Sequence, residues 1–362
     1  MKKLFLLLLL AVIFKTASGG KPKISFFCEL NGKEFSELLS DTALLKQLED
    51  MRVSIRAGLH DFSPERTATL QKLNEAGIPV YAWLLLPEED GYWFNMNNGD
   101  KALKRYQDFI EWTRNNNLKW EGIGIDLELD INDAKLAIQH PWKLAWKIYK
   151  RLFDNKSLKA GKEKYQSLIA EMKADGYSVE SYIIPFIFDE RAKGTTSFQK
   201  LMGIVDIETE SEIPMLYTSA MGNPGIIPLY HRDKMPVALG STGGGVKIEG
   251  IELASLTWDK LERDLLIASK HTDQIIIFCL ETTVQKGYLM RIKSLDWNQE
   301  SSDLTTETSK QQKTDRYVRS ALVILDHPLL LTLVLLSMAG AILFGLYKLS
   351  RLIFRIVRIK KP

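Results

Sequence analysis

The sequence predicts an α/β fold, a (β/α)8 TIM barrel with an N-terminal signal peptide and a C-terminal single transmembrane helix. Three observations carry this prediction. Eight short runs rich in β-branched and aromatic residues alternate with longer stretches of helical periodicity. They fill about 275 residues, near the usual barrel size of about 250. The first run is not followed by a glycine-rich phosphate loop, which counts against an open dinucleotide-binding sheet.

In chain order, residues 1–19 begin with lysines, continue with an apolar run from Leu4 to Phe14 and close on small residues. That run is too short to span a bilayer and has the form of a cleavable secretory signal. The barrel domain is expected over 20–297. Its strands are expected at 24–29, 52–57, 79–85, 122–128, 181–188, 213–218, 236–239 and 274–280. Residues 100–117 and 258–271 space apolar side chains at helical intervals, with Asp100, and Ser63 before Pro64, as N-caps. The fourth-to-fifth strand interval holds two helical stretches, near 133–153 and 158–176; long insertions at this face of a barrel build clefts. Trp112, Trp120, Trp142 and Trp146 lie on helical stretches, where core packing is their expected role.

Residues 298–326 are polar and Ser/Thr-rich, the composition of a flexible linker. A transmembrane helix is expected at 327–348, because 328–347 carries no charge, and it makes the lipid bilayer a partner. Lys348, Arg351, Arg355, Arg358, Lys360 and Lys361 follow. The positive-inside rule leaves the tail, 349–362, in the cytoplasm and the barrel extracytoplasmic, periplasmic or at the cell surface.

Net charge is +3 for the chain; without the six cations after the apolar run and the three of the leader it is −6. An acidic soluble part argues against nucleic acid as a partner. Five histidines lack ligand spacing, so no metal and no cofactor is implied. Cys28 and Cys279 could pair if their strands adjoin, or stay as two buried thiols.

The chemistry concentrates in 121-EGIGIDLELD-130. Asp126 and Glu128 are two residues apart on a strand, so both project to one face, at the C-terminal end where barrel sites lie. Glu128, apolar on both sides and beside a second carboxylate, would hold its proton more tightly and serve as a general acid. The same acids could instead cap the next helix. Trp83 and Trp93, on the third strand and the loop after it, offer rings for stacking on sugar faces. Glu281 ends the eighth strand, so a two-carboxylate retaining glycosidase using Glu128 and Glu281 is a second enzymatic possibility.

The stretch Glu121-Gly122-Ile123-Gly124-Ile125-Asp126-Leu127-Glu128 resembles the fourth-strand motif Asp-Gly-x-Asp-x-Asp-x-Glu of glycoside hydrolase family 18, the chitinases and endo-β-N-acetylglucosaminidases. Its last two acids match, the first is Glu121, and Gly124 replaces the second. Met215-Leu216-Tyr217-Thr218 is similar to that family's sixth-strand Met-x-Tyr, and Phe278 stands where its eighth strand usually has Trp. The resemblance implies a substrate-assisted hydrolase of N-acetylated glycans. Glu128 would protonate the glycosidic oxygen, while Asp126 and Tyr217 hold the acetamide that attacks. Trp83, Trp93, Met215, Phe278 and Glu281 would bind the substrate. A non-catalytic glycan-binding or scaffold barrel of the same fold is the alternative from another class.

Overall fold

A computed structural model describes residues 21–232, 235–246, 248, 254–300 and 303–359, with side chains as far as Arg351. The expected signal peptide and the last three residues of the tail lie outside the described residues. Eight parallel strands form one sheet: β1 (Lys23–Cys28), β2 (Ser54–Leu59), β3 (Val80–Leu84), β4 (Gly122–Leu127), β5 (Val179–Ile183), β6 (Ser211–Pro214), β7 (Val237–Gly240) and β8 (Gln274–Phe278). β1 pairs with both β2 and β8, and the sheet runs in sequence order from β1 to β6. The seam between β6 and β7 is narrow. There a Met215–Ala238 bridge, with the Leu216 N–H donating to the Ala238 carbonyl at 2.8 Å, brings the ends together into a nearly closed barrel.

The strand alternation explains the two cores. Ile24, Phe26, Ile55, Ala57, Ile123, Ile125, Val237, Leu239, Ile275 and Ile277 point outward, into the layer between sheet and helices. Phe27, Trp83, Tyr182, Met215, Ala238, Ile276 and Phe278 point inward and fill the barrel. Room for these rings comes from glycines on the inner faces of β2 and β4. A Cβ at Gly58 would press on Trp83 and Leu85, and one at Gly124 would collide with the Tyr182 hydroxyl.

The expected strands all exist, with edges displaced by a few residues. The largest change is at 181–188. Its β-rich composition suggests one long strand, but Pro185 cannot donate to a ladder, and helix Phe186–Lys193 begins there. Ser63 caps Pro64–Glu75 by accepting from the Arg66 N–H at 3.3 Å. Asp100 is not a cap; it lies in the first turn of Gly99–Asn116, 2.5 Å from Lys164. The β4–β5 insertion contains three helices, Ile131–Gln139, Pro141–Arg151 and Asn155–Ala174, because Pro141 starts a new one. Trp112 and Trp120 join the packing of the outer layer, as expected. Trp142 and Trp146 do not: they are 87% and 60% exposed, on a face of Pro141–Arg151 turned away from the barrel.

The polar stretch 298–326 contains helix Thr305–Leu325, which lies on the barrel's outer helices. Leu322 is buried beside Ile187 and Phe198, the Ser197 hydroxyl donates to its carbonyl at 2.7 Å, and Arg319 pairs with buried Asp189 at 2.7 Å. Its periodic apolar residues are few, which is why composition alone suggests a tether. Helix Pro328–Ile359 follows, and its stretch Pro328–Arg351 is long and apolar enough to cross a membrane.

Candidate active site

The site is built at the C-terminal ends of the strands, above an aromatic floor. Phe27 packs edge-on against Trp83 and Tyr182, with ring centroids 5.1 and 4.7 Å away, and is 5.9 Å from Phe278. Such pairs contribute about 0.5–1.5 kcal/mol each beyond area burial, so the floor is stiff. The Tyr217 ring lies 5.9 Å from Phe278. Met215 and Trp93 pack against the same cluster.

Beneath the floor the barrel interior is polar but fully paired. Arg56 of β2 reaches Glu180 of β5 through two bonds, 2.8 and 2.9 Å, and the Tyr182 hydroxyl donates to the same carboxylate at 2.7 Å. The Arg56 guanidinium also lies over the Tyr81 ring at 4.3 Å. Gly124 is thus explained locally: its inward space is occupied by the phenol that completes this network.

Above the floor, carboxyl groups gather without a paired cation among the described residues. Asp126 ends β4 with its side chain inward and only 3% exposed. The backbone N–H of Phe94 donates to the Asp126 carbonyl at 2.9 Å, tying the loop after β3 to this strand end. Glu128 is half-buried two residues on. Neither acid caps the next helix; Asp130 does, accepting from the Asn132 N–H at 2.8 Å. Burial, the Glu128 charge and the Glu29 charge all raise the Asp126 proton affinity, and burial pushes Glu128 up to about 7. Each carboxyl acts on the other's proton affinity, so they titrate as a pair. Asp126 Oδ1 and Trp83 Nε1 are buried with no hydrogen-bond partner among the described residues.

Two further acids flank the pair. Glu29, just beyond β1, is pushed up to about 8, chiefly by burial, and accepts a short hydrogen bond from the Tyr92 hydroxyl. Glu281 opens a short helix after β8; burial raises it too, and the Glu29 N–H approaches its Oε1 at 3.4 Å. His60 sits behind Glu29, its Nε2 3.2 Å from the Glu29 carbonyl and its Nδ1 3.5 Å from the Tyr92 hydroxyl. Burial and Arg66 lower His60 to about 4, so near neutral pH it is uncharged and offers these acids no counter-ion. The loop after β7 folds against this group. A Cβ on Gly245 would lie 3.1 Å from Glu29 Oε2, and one on Gly244 would meet Cys279 Sγ at 2.6 Å. Both glycines have positive φ, and only glycine combines that backbone with so close an approach.

Tyr217 follows the β6–β7 bridge. Burial raises its phenol, and the charges of Asp126, Glu128 and Glu29 add to the shift, so it shares their electrostatic neighbourhood. Thr218 turns the other way and donates to buried Asp264 of helix Trp258–Ala268. Trp83 is 2% exposed and belongs to the floor, while Trp93 packs edge-on against Tyr92 at 5.0 Å. Cys28 and Cys279, on adjoining β1 and just after β8, are both free. The expected strand 24–29 ends on Glu29, but neither its bond to Tyr92 nor His60 behind it is foreseen from the sequence. Glu29 ending one strand and His60 following the next, on the same barrel rim, is the signal that could have found the trio. A separate cavity of about 490 Å³, lined by Pro228, His271 and Gln312 among others, lies on the outer helices and includes none of these residues.

No family model matches the sequence, and no curated protein matches it. Among solved structures the chain is similar to a GH18 chitinase from Pseudoalteromonas aurantia, with 11% identity, TM-score 0.43, and 75% of this chain and 98% of that one covered. It is similar also to the PgaB (BpsB) glycoside hydrolase domain from Bordetella bronchiseptica, with 9% identity, TM-score 0.46, and coverages of 76% and 98%. A third is Saccharomyces cerevisiae Gas2p in complex with laminaritriose and laminaritetraose, with 10% identity, TM-score 0.39, and coverages of 80% and 66%. A xylose isomerase domain protein from Planctomyces limnophilus scores alongside them, at 11% identity, TM-score 0.40, and coverages of 75% and 95%. Likenesses this distant do not choose among chemistries, and the fold rests on the strand pairing itself.

Proposed function

We propose that this chain is a membrane-anchored, extracytoplasmic glycoside hydrolase acting on N-acetylated glycans by a substrate-assisted mechanism. The observation that carries the reading is the carboxyl pair: Asp126 and Glu128 share a neighbourhood with Tyr217, and Glu128 holds its proton up to about 7. Near neutral pH a protonated Glu128 is a general acid able to donate to a glycosidic oxygen as the bond breaks. Asp126, with Oδ1 unpaired and buried, is suited to accept from an acetamide N–H, so that the acetamide carbonyl oxygen attacks the anomeric carbon. The phenol of Tyr217 would donate to that carbonyl oxygen. The intermediate is then a cyclic oxazolinium of the sugar itself, and water opens it as Glu128 takes back a proton. No second nucleophilic carboxylate is needed, an exception to the two-carboxylate scheme.

The test is release of a fluorogenic leaving group from N-acetylglucosaminide and chitobioside substrates by the full chain and by Glu128→Gln. Turnover by wild type and a loss of about 10²–10⁴-fold in the variant are expected. Equal, background-level release in both would leave a binding barrel.

A further inference from the structure

We propose that the outer face of helix Pro141–Arg151 lies in the membrane interface, docking the barrel flat onto the lipid surface beside its anchor. This rests on the reading that Pro328–Arg351 spans the bilayer. Trp142, Trp146, Tyr149 and Phe153 recur at intervals of four, three and four residues, which places them in one stripe along the helix and its C-terminal turn. They form a continuous aromatic ridge: Trp146 stacks on Tyr149 at 5.4 Å, and Tyr149 meets Phe153 at 5.3 Å. The ridge is turned to the outside, with Trp142 87%, Trp146 60% and Phe153 41% exposed, and Ile138 of the preceding helix, 44% exposed, adds to the apolar surface. A barrel with a saturated core has no packing use for such side chains.

The position of the ridge identifies what covers it. The Tyr149 hydroxyl is 2.8 Å from Thr332 Oγ1, in the second turn of the apolar helix. Thr332 is four residues past Pro328, about 6 Å along the axis at 1.5 Å per residue. The ridge therefore runs at the depth where a span leaves its hydrocarbon and enters the headgroups, continuous with the lipid-facing surface of Leu329, Leu330 and Leu333. Trp and Tyr favour that layer because the ring is apolar and the N–H or O–H stays wet. Exposed Lys143 and Lys150 flank the stripe, and Lys150 lies 5.8 Å over the Trp146 ring. An aromatic face edged by lysines matches an interfacial helix on a surface carrying anionic lipid. Residues 141–153 thus form a second, in-plane contact that would fix how far the barrel mouth stands from the bilayer.

The experiment places nitroxide labels in the full chain, reconstituted in nanodiscs of phosphatidylcholine and phosphatidylglycerol, and measures collision with oxygen and with a water-soluble nickel chelate. Ala145→Cys reports the ridge and leaves its aromatics intact, Leu336→Cys reports the span, and Lys104→Cys reports an exposed position on helix Gly99–Asn116. The expected result is a severalfold higher oxygen-to-nickel ratio at 145 than at 104, intermediate between 104 and 336. A ratio at 145 equal to that at 104, with 336 in lipid, overturns the docking and leaves the anchor standing. A water-exposed label at 336 removes the anchor and the docking together. A label at 145 shielded from both reagents means that protein, a partner or a second copy, covers the ridge, and this also overturns the proposal.

Discussion

The barrel holds one buried acid below its aromatic floor and four buried or half-buried acids a layer above, and their opposite treatment separates structure from function. Below the aromatic floor, Glu180 is met by two guanidinium nitrogens of Arg56, Nε and Nη2, and by the Tyr182 phenol. Above it, Asp126, Glu128, Glu29 and Glu281 converge with neutral His60 behind them, and each holds its proton above the ordinary carboxylate range. Desolvation acts on both layers, but in the lower one an opposite charge answers it, and in the upper one the acids answer it by retaining protons. A fold gains nothing from four such acids at one end, whereas a general acid needs a proton near neutral pH.

The comparison breaks most visibly at Glu128. Glu128→Gln keeps the shape and removes the transferable proton, so turnover falls about 10²–10⁴-fold, and wild-type turnover declines above about pH 7 as that proton leaves. A fluorogenic rate profile against pH checks both. If the variant keeps the wild-type rate, the upper layer is not the acid.

Glu180→Gln tests the lower layer. It leaves the Arg56 guanidinium, which is 0% exposed, facing an uncharged amide, at a cost of about 3–5 kcal/mol, read from urea unfolding. A cost near zero would mean that the lower pair is not what holds the interior together.

Glu29 gives the smallest effect and the sharpest sign. Its proton is held more tightly in the folded chain, up to about 8, than in the unfolded one. The folded state therefore binds more protons across the interval between those values, and stability falls as pH rises through it. Glu29→Gln relieves that loss: its Tm exceeds wild type by about 2–6 °C at alkaline pH, and the difference shrinks toward zero near the unfolded value of about 4.3. A difference independent of pH would contradict the assigned shift.

The fold was legible because βα alternation is written in local periodicity, and the carboxyl pair because strand spacing of two places both acids on one rim. What lay beyond reading came from distance in sequence. Arg56 and Glu180 are 124 residues apart, and either alone suggests an exposed charge. Gly124 resembles a lost acid until Tyr182 is seen filling its space. Trp142 and Trp146 sit at helical spacing that suits a core equally well, and only the placement of the helix turns them outward.

The most direct measurement is an infrared difference titration of the protonated-carboxyl stretch in wild type, Glu128→Gln and Glu29→Gln. Protonated carboxyls should persist in wild type well above the ordinary range of about 4 and vanish with midpoints near 7 and 8, one component disappearing with each substitution. A wild-type spectrum with every carboxyl already ionised at neutral pH would contradict the account.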